Sequence, residues 1–306
     1  INKIIILILI SKSIFGQELV SIKSNTLYSS HQSTDSIQLP FWDDFSVEGI
    51  DNSKWSFFEN LTVKDYNNNN APSINVVEFD GLNSNGNSYN HPEGYGEADV
   101  LISDIINMKN YENNQTVFMS FFWNFNINGE YPDYQDSIKL EFMSTENEWE
   151  MVWYKIGGNE NFLGNDFSFE ILKISNEFMH ENFRFKFSNI GNSEGPFDSW
   201  VLDYIYINSD RNENDSIFLD RTLSYTAKKI FKDYFSIPIK HFNKADELSD
   251  SLEITVKNLD KNIQPINYSL LVSSDELSIS ELIVNQKPLS PILNGFESRV
   301  IKNKKI

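Results

Sequence analysis

The chain has 306 residues and no cysteine. Disulfides, thiol chemistry, zinc–thiolate sites and lipid attachment through cysteine are therefore excluded. Basic residues are few: 25 lysines and arginines stand against 44 acids, for a net charge of −19. Without a basic footprint to displace phosphate counterions, nucleic acid is excluded as a partner. The acidity reads as a solvated, self-repelling surface, with the sharper alternative that some acids hold calcium. Helical periodicity is almost absent between Leu39 and Asn208. There is no glycine-rich phosphate loop. His31, His91, His180 and His241 are isolated and lack metal-ligand spacing. No segment is long and apolar enough to be a membrane helix.

Apolar side chains are plentiful. Hydrophobic residues make up 40% of the chain and aromatics 14%, with 24 Phe, 13 Tyr and 6 Trp. These favour pleated, half-buried surfaces, and the length suits two domains. The start has the form of a secretory signal over 1–16. Asn2-Lys3 is polar and basic, Ile4 to Ile10 is an apolar run, and Ser11 to Gly16 is small and polar. A polar, serine-rich leader over 17–38 follows.

From 39 to 210 the chain is dense in strand signals. Phe183, Phe185 and Phe187 alternate with Arg184, Lys186 and Ser188. Ile138, Leu140 and Phe142 alternate with Lys139 and Glu141, a period of two with one wet face. Val117 to Trp123 is apolar on both faces and is expected to be a central strand. Ile74 to Phe79, Trp149 to Ile156 and Phe167 to Ile174 add more strands, and Asn/Gly turn signals separate them. The pattern predicts an all-β, antiparallel jelly-roll sandwich. Ser209 to Asp215 is polar, as a linker would be. Strand candidates beyond it, around Leu252, Tyr268 and Leu282, suggest a small immunoglobulin-like β domain over 218–306, with prolines between its segments.

Two distant segments each set acids in an apolar run: Leu39 to Ser46 and Phe197 to Ile207. They read as the first and last strands of one sandwich, with their carboxylates meeting where the strands pair. With Asp44-Phe45 opening, Phe118 to Trp123 in the middle ahead of Gly129, and Trp200 to Ile205 closing, the region resembles the MAM and concanavalin-like jelly-roll modules of extracellular proteins. The likeness covers roughly 170 residues. MAM modules of animals are usually disulfide-bonded, and this chain departs from them there. Its cysteine-free, asparagine-rich style looks instead like secreted surface proteins of Bacteroidetes bacteria, many of them exported through the type IX system.

Strict alternation puts Asp203 on a face with Val201, Ile205 and Ile207, where an ionised carboxylate is costly unless paired or bound to a cation. The resemblance implies a structural calcium ion between the opening and closing acids. Asp44 and Asp203 are the expected ligands, with Asp43 and Asp80 as further candidates; the alternative is a carboxylate held by backbone N–H groups or by a lysine or arginine. Glu97-Ala98-Asp99 resembles the paired acids of laminarinase-type glycosidases, but the further Glu of that pattern is missing. No catalytic residue is therefore assigned. Trp123, Trp149, Trp153 and Trp200 suit a core or a sugar-stacking platform. Tyr89, Tyr131 and Tyr134 fall in expected loops and are candidates for an exposed ligand surface. The reading is a secreted or cell-surface adhesion and recognition protein that binds an extracellular glycan or protein without catalysis. A polysaccharide-degrading enzyme of the same fold and a passive spacer of a larger surface protein are the alternatives.

Overall fold

The computed structural model describes residues 36–304, apart from 48, 59–60, 66–70, 84, 90, 92, 112–114, 126–129, 159–165, 226–230, 235–236, 242–248, 250 and 275–278. The expected signal segment, His31 and the Gly129 turn lie outside the described residues. The described chain forms two compact units that divide between Ser224 and Tyr225.

The strands of the first unit are, in order, β1 (Phe41–Asp43), β2 (Trp55–Phe57), β3 (Thr62–Asp65), β4 (Asn75–Phe79), β5 (Tyr95–Ser103), β6 (Val117–Phe125), β7 (Ser137–Met143), β8 (Trp149–Ile156), β9 (Ser168–Ile174), β10 (Phe185–Asn192) and β11 (Trp200–Ser209). β12 (Arg221–Tyr225) lies at the division. β3-β4-β11-β6-β9 form one sheet and β2-β5-β10-β7-β8 the other, with every strand pairing antiparallel. The jelly-roll expectation holds. The two ends of the region do meet, because β1 pairs with the C-terminal half of β11 (Phe41 opposite Ile207). β4 takes the N-terminal half, with Trp200 opposite Phe79.

Alternation explains which faces close on each other. Ile138, Leu140 and Phe142 of β7 and Phe185 and Phe187 of β10 are buried, and the two β10 rings meet the other sheet edge to face. Phe187 lies 5.0 Å from Phe121, and Phe185 lies 5.2 Å from Phe41. Each such ring contributes about 1.5–3 kcal/mol by leaving water. β6 is buried along nearly its whole length, as expected of a strand apolar on both faces. Trp123, Trp153 and Trp200 belong to this core, whereas Trp149 does not.

The segment before β1 is already part of the sandwich. Ile37 bridges Ile106, its amide donating to the Ile105 carbonyl at 2.8 Å. At the other end, the polar stretch after β11 folds back over the first sheet. Buried Arg211 donates to the Tyr206 carbonyl and pairs with Asp215 at 2.7 Å, and Phe218 is buried against Tyr204 at 4.7 Å.

In the second unit, β13 (Ser251–Asn258) pairs with β16 (Ser298–Lys304), and β14 (Asn267–Ser274) pairs with β15 (Ile279–Pro288). Ile254, Val256, Leu293 and Ile301 form its small core, and Tyr268 packs against it.

Candidate functional site

The junction of β1 and β4 on β11 lies at a bulge. The register shifts between Asp203 and Tyr206, and Tyr204 takes a left-handed φ of 52°. An extra residue at this point reverses which side chains face inward. Trp200 and Leu202 enter the core before the bulge, and Ile205 and Ile207 enter it after. Asp203 therefore does not share a face with Ile205 and Ile207, as strict alternation would have it. It lies under Ser73, whose amide donates to Asp203 Oδ2 at 2.8 Å and whose hydroxyl lies 2.9 Å from Oδ1. Asp203 has no solvent exposure. Burial pushes its carboxyl up to about 8; the Ser73 hydrogen bonds oppose the rise and the charge of Asp44 adds to it.

Oxygens crowd this point. The Ser73 hydroxyl is also 2.5 Å from the Asp44 carbonyl oxygen and 3.3 Å from that of Asn75. A hydroxyl has one proton, so it satisfies one of these three acceptors at a time. Carboxylate, carbonyl and hydroxyl oxygens are the hard donors that calcium takes, six to eight of them counting waters. The donor set fits the ion only through its backbone oxygens. Among the described residues no three His, Asp or Glu side chains converge in a metal-holding group.

The four expected ligands separate accordingly. Asp44 and Asp203 are brought together, although Asp44 presents its carbonyl there while its Oδ1 accepts from Ser46 at 2.7 Å. Asp43 turns to the core side, where it accepts from the Trp55 indole N–H at 2.6 Å and meets Lys54 at 3.4 Å. Burial still holds its carboxyl above the usual range. Asp80 follows β4 at the far end, accepts from the Leu82 amide at 2.8 Å, and is pushed up to about 6 by burial and the nearby Glu78.

Glu97 and Asp99 do not form a catalytic pair. A register shift on β5 between the partners of Ser188 and Ile190 turns them to different surroundings. Asp99 is fully buried and accepts from the Asp80 amide and the Tyr89 hydroxyl. Glu97 reaches Lys139 at 3.2 Å. Tyr89 is thereby tied down, with its ring stacked on His91. Tyr131 and Tyr134 are 44% and 75% exposed on the β6–β7 loop.

The outward faces of the two sheets differ. On the first, Phe122, Phe169, Tyr204 and Tyr206 are covered by Phe218 and Arg211 from the returning segment. On the second, a band of charge runs across the strands. Lys139 bridges Glu97 and Glu141 at 3.2 and 3.3 Å, and Lys186 meets Glu141 at 2.8 Å while lying over the Trp149 ring at 4.9 Å. The Lys139, Glu141 and Lys186 side chains are only 20%, 11% and 13% exposed. Beside them Met151 and Tyr154 stand out, at 58% and 53%. Cross-strand register places them together, with Lys139 opposite Tyr154 and Glu141 opposite Met151 and Lys186. The sequence shows Lys139, Glu141 and Lys186 only as an ordinary wet face, and Met151 and Tyr154 carry no signal there.

No protein-family model and no curated protein matches the chain. Among solved structures, a CBM22-1 xylan-binding domain from Paenibacillus barcinonensis is similar over 56% of this chain and 94% of its own, at 8% identity and a TM-score of 0.34. The CBM22-1–GH10 modules of a Clostridium thermocellum endo-1,4-β-D-xylanase, complexed with xylohexaose, are similar over 59% of this chain. That match covers 30% of the xylanase chain, at 13% identity and a TM-score of 0.33.

Proposed function

We propose that the chain is a secreted, non-catalytic recognition module that binds a glycan across the outward face of its second sheet. The observation that carries this reading is the sheltered charge band Glu97–Lys139–Glu141–Lys186 beside the exposed Met151 and Tyr154 on the outward face of the second sheet. Its carboxylate oxygens and ammonium groups are fixed in place and can meet sugar hydroxyls, while Tyr154 and Met151 offer apolar surface to the sugar's C–H faces. The same ion pairs argue against hydrolysis. A glycosidase needs one carboxyl kept protonated and another free to attack or activate water, and here both acids are engaged by lysine.

Titration calorimetry of the whole chain against a panel of neutral plant and microbial polysaccharides tests the reading. Binding to at least one is expected, with Tyr154→Ala and Lys139→Ala each weakening it about tenfold or more while the melting temperature barely moves. A passive spacer would bind none of them. A protein-binding module would bind none either, and reducing sugar released during the titration would point to an enzyme.

The reading includes a structural calcium ion at the bulge, held by the Asp203 carboxylate, the Asp44 and Asn75 carbonyls and the Ser73 hydroxyl. The excess of acceptors around that single hydroxyl supports it. The ion would fasten β1 and β4 to β11 and take no part in chemistry. The melting temperature is expected to fall in EGTA and to recover with calcium. Asp203→Asn should abolish the difference; a wild-type melting temperature indifferent to both additions removes the ion from the reading.

A further inference from the structure

A second buried pair of acids, used by neither the glycan face nor the bulge, lies where the β6–β7 and β10–β11 loops meet. Asp136 closes the first loop. Its Oδ2 accepts from the Asp133 amide, and its own amide donates to the Asp133 carbonyl at 3.0 Å. Asp198 belongs to the second loop, takes a left-handed φ of 56°, and accepts from the Asn192 amide at 3.3 Å. The two carboxyl groups act on each other across this junction. Both lie over Gly191, where an added methyl carbon would come 3.4 Å from Asp198 Cβ and 3.6 Å from Asp136 Oδ1. Solvent reaches only 2% of Asp136 and 7% of Asp198.

A carboxyl–carboxyl hydrogen bond exists only with a proton in it, and two carboxylates so placed repel each other. The groups acting on the pair are Glu130 and Asp133 of the same loop and Tyr95 of β5, none of them cationic. Tyr95 itself donates to the Gln135 carbonyl. His91, whose ring lies against Gly96 on the strand beside Gly191, is engaged by the Glu97 carbonyl oxygen. Burial first, and then the charges of Asp198 and Asp133, hold the Asp136 carboxyl at about 6; Asp198 is raised as well, again chiefly by burial.

We propose that Asp136 and Asp198 form a proton-dependent clasp between the two loops, fastened while they share a proton and slackened when it leaves. The exposed Tyr131 and Tyr134 ride on the loop it holds. The sign follows from the raised folded value. The native pair keeps its proton above 3.8, where an unfolded aspartate loses it, up to about 6. The clasp's contribution is therefore complete below the lower value and is lost as pH rises through the upper one.

Amide hydrogen exchange of the whole chain, followed by mass spectrometry at about pH 5 and about pH 8 and corrected for intrinsic rates, tests this. Peptides covering 131–136 and 192–199 are expected to exchange at least about fivefold faster at the higher pH, while the centres of β7 and β10 stay protected. Asp198→Asn supplies a permanent N–H donor, so it should erase the difference; Asp136→Asn takes its place if the first variant fails to fold. Equal loop protection in the wild type at both pH values, or a pH response that persists in a folded variant, overturns the proposal. The wild-type comparison decides alone if neither variant folds.

Discussion

At the scale of single residues, the acids of this chain are distinguished by what faces them, and spacing conveys little of that. The sequence puts Asp44 and Asp203 ahead of Asp43 and Asp80, and Asp44 and Asp203 are the two that converge, Asp44 through its carbonyl. Asp43 depends on an indole. Trp55→Phe keeps most of the ring's bulk but removes the 2.6 Å hydrogen bond to a buried carboxylate, at a cost of about 1–3 kcal/mol. That N–H favours the ionised form, so the loss belongs to the pH range where Asp43 is charged. Urea denaturation of wild type and variant should show a large gap near neutrality that narrows as Asp43 is protonated on acidification. A gap independent of pH would mean that Trp55 acts only by packing. Trp55 carried no signal in the sequence, because a lone tryptophan among polar residues looks the same whether or not its N–H has a partner.

At the scale of elements, period-two alternation located strands reliably and located faces only where the strand is regular. Ile138, Leu140 and Phe142, like Phe185 and Phe187, point inward as their spacing requires. On β11 and β5 one displaced residue changes the phase: it takes Asp203 off the face of Ile205 and Ile207, where strict alternation would put it, and parts Glu97 from Asp99. A bulge is a backbone event, and no pattern of side-chain polarity encodes it when the residue that adopts positive φ is a tyrosine. The stretch after β11 was misjudged differently. Ser209 to Asp215 has a linker's composition, but Arg211 and Phe218 fix it to the sheet. Phe218→Ala removes a ring that touches Tyr204, Phe122, Phe169 and Tyr206. It should cost about 3–5 kcal/mol, and limited proteolysis should then nick the chain between 209 and 220. Resistance equal to wild type would show that Arg211 alone retains the segment. The charge band is not legible as a unit because its members are alternating residues on three strands, brought side by side only by register.

At the scale of the whole molecule, a net charge of −19 acts on every described surface. Self-repulsion of that size destabilises a compact state and is relieved by salt. Raising sodium chloride from about 0.01 M to about 0.15 M shortens the screening length from about 30 Å to about 8 Å. The melting temperature should rise over that range; a fall would mean that ion pairs such as Lys186–Glu141 outweigh the global charge. Strand order has a consequence of another kind. β1 finds its partner on β11, Phe41 against Ile207, so more than half the chain must leave the ribosome before the first strand has anywhere to bind. Until then an apolar ribbon waits unpaired beside equally apolar neighbours, with the ring closure of a long loop still ahead of it. Biogenesis of this sandwich is therefore slow and dependent on late-made sequence, and truncation anywhere before residue 207 leaves an adhesive fragment rather than a smaller domain.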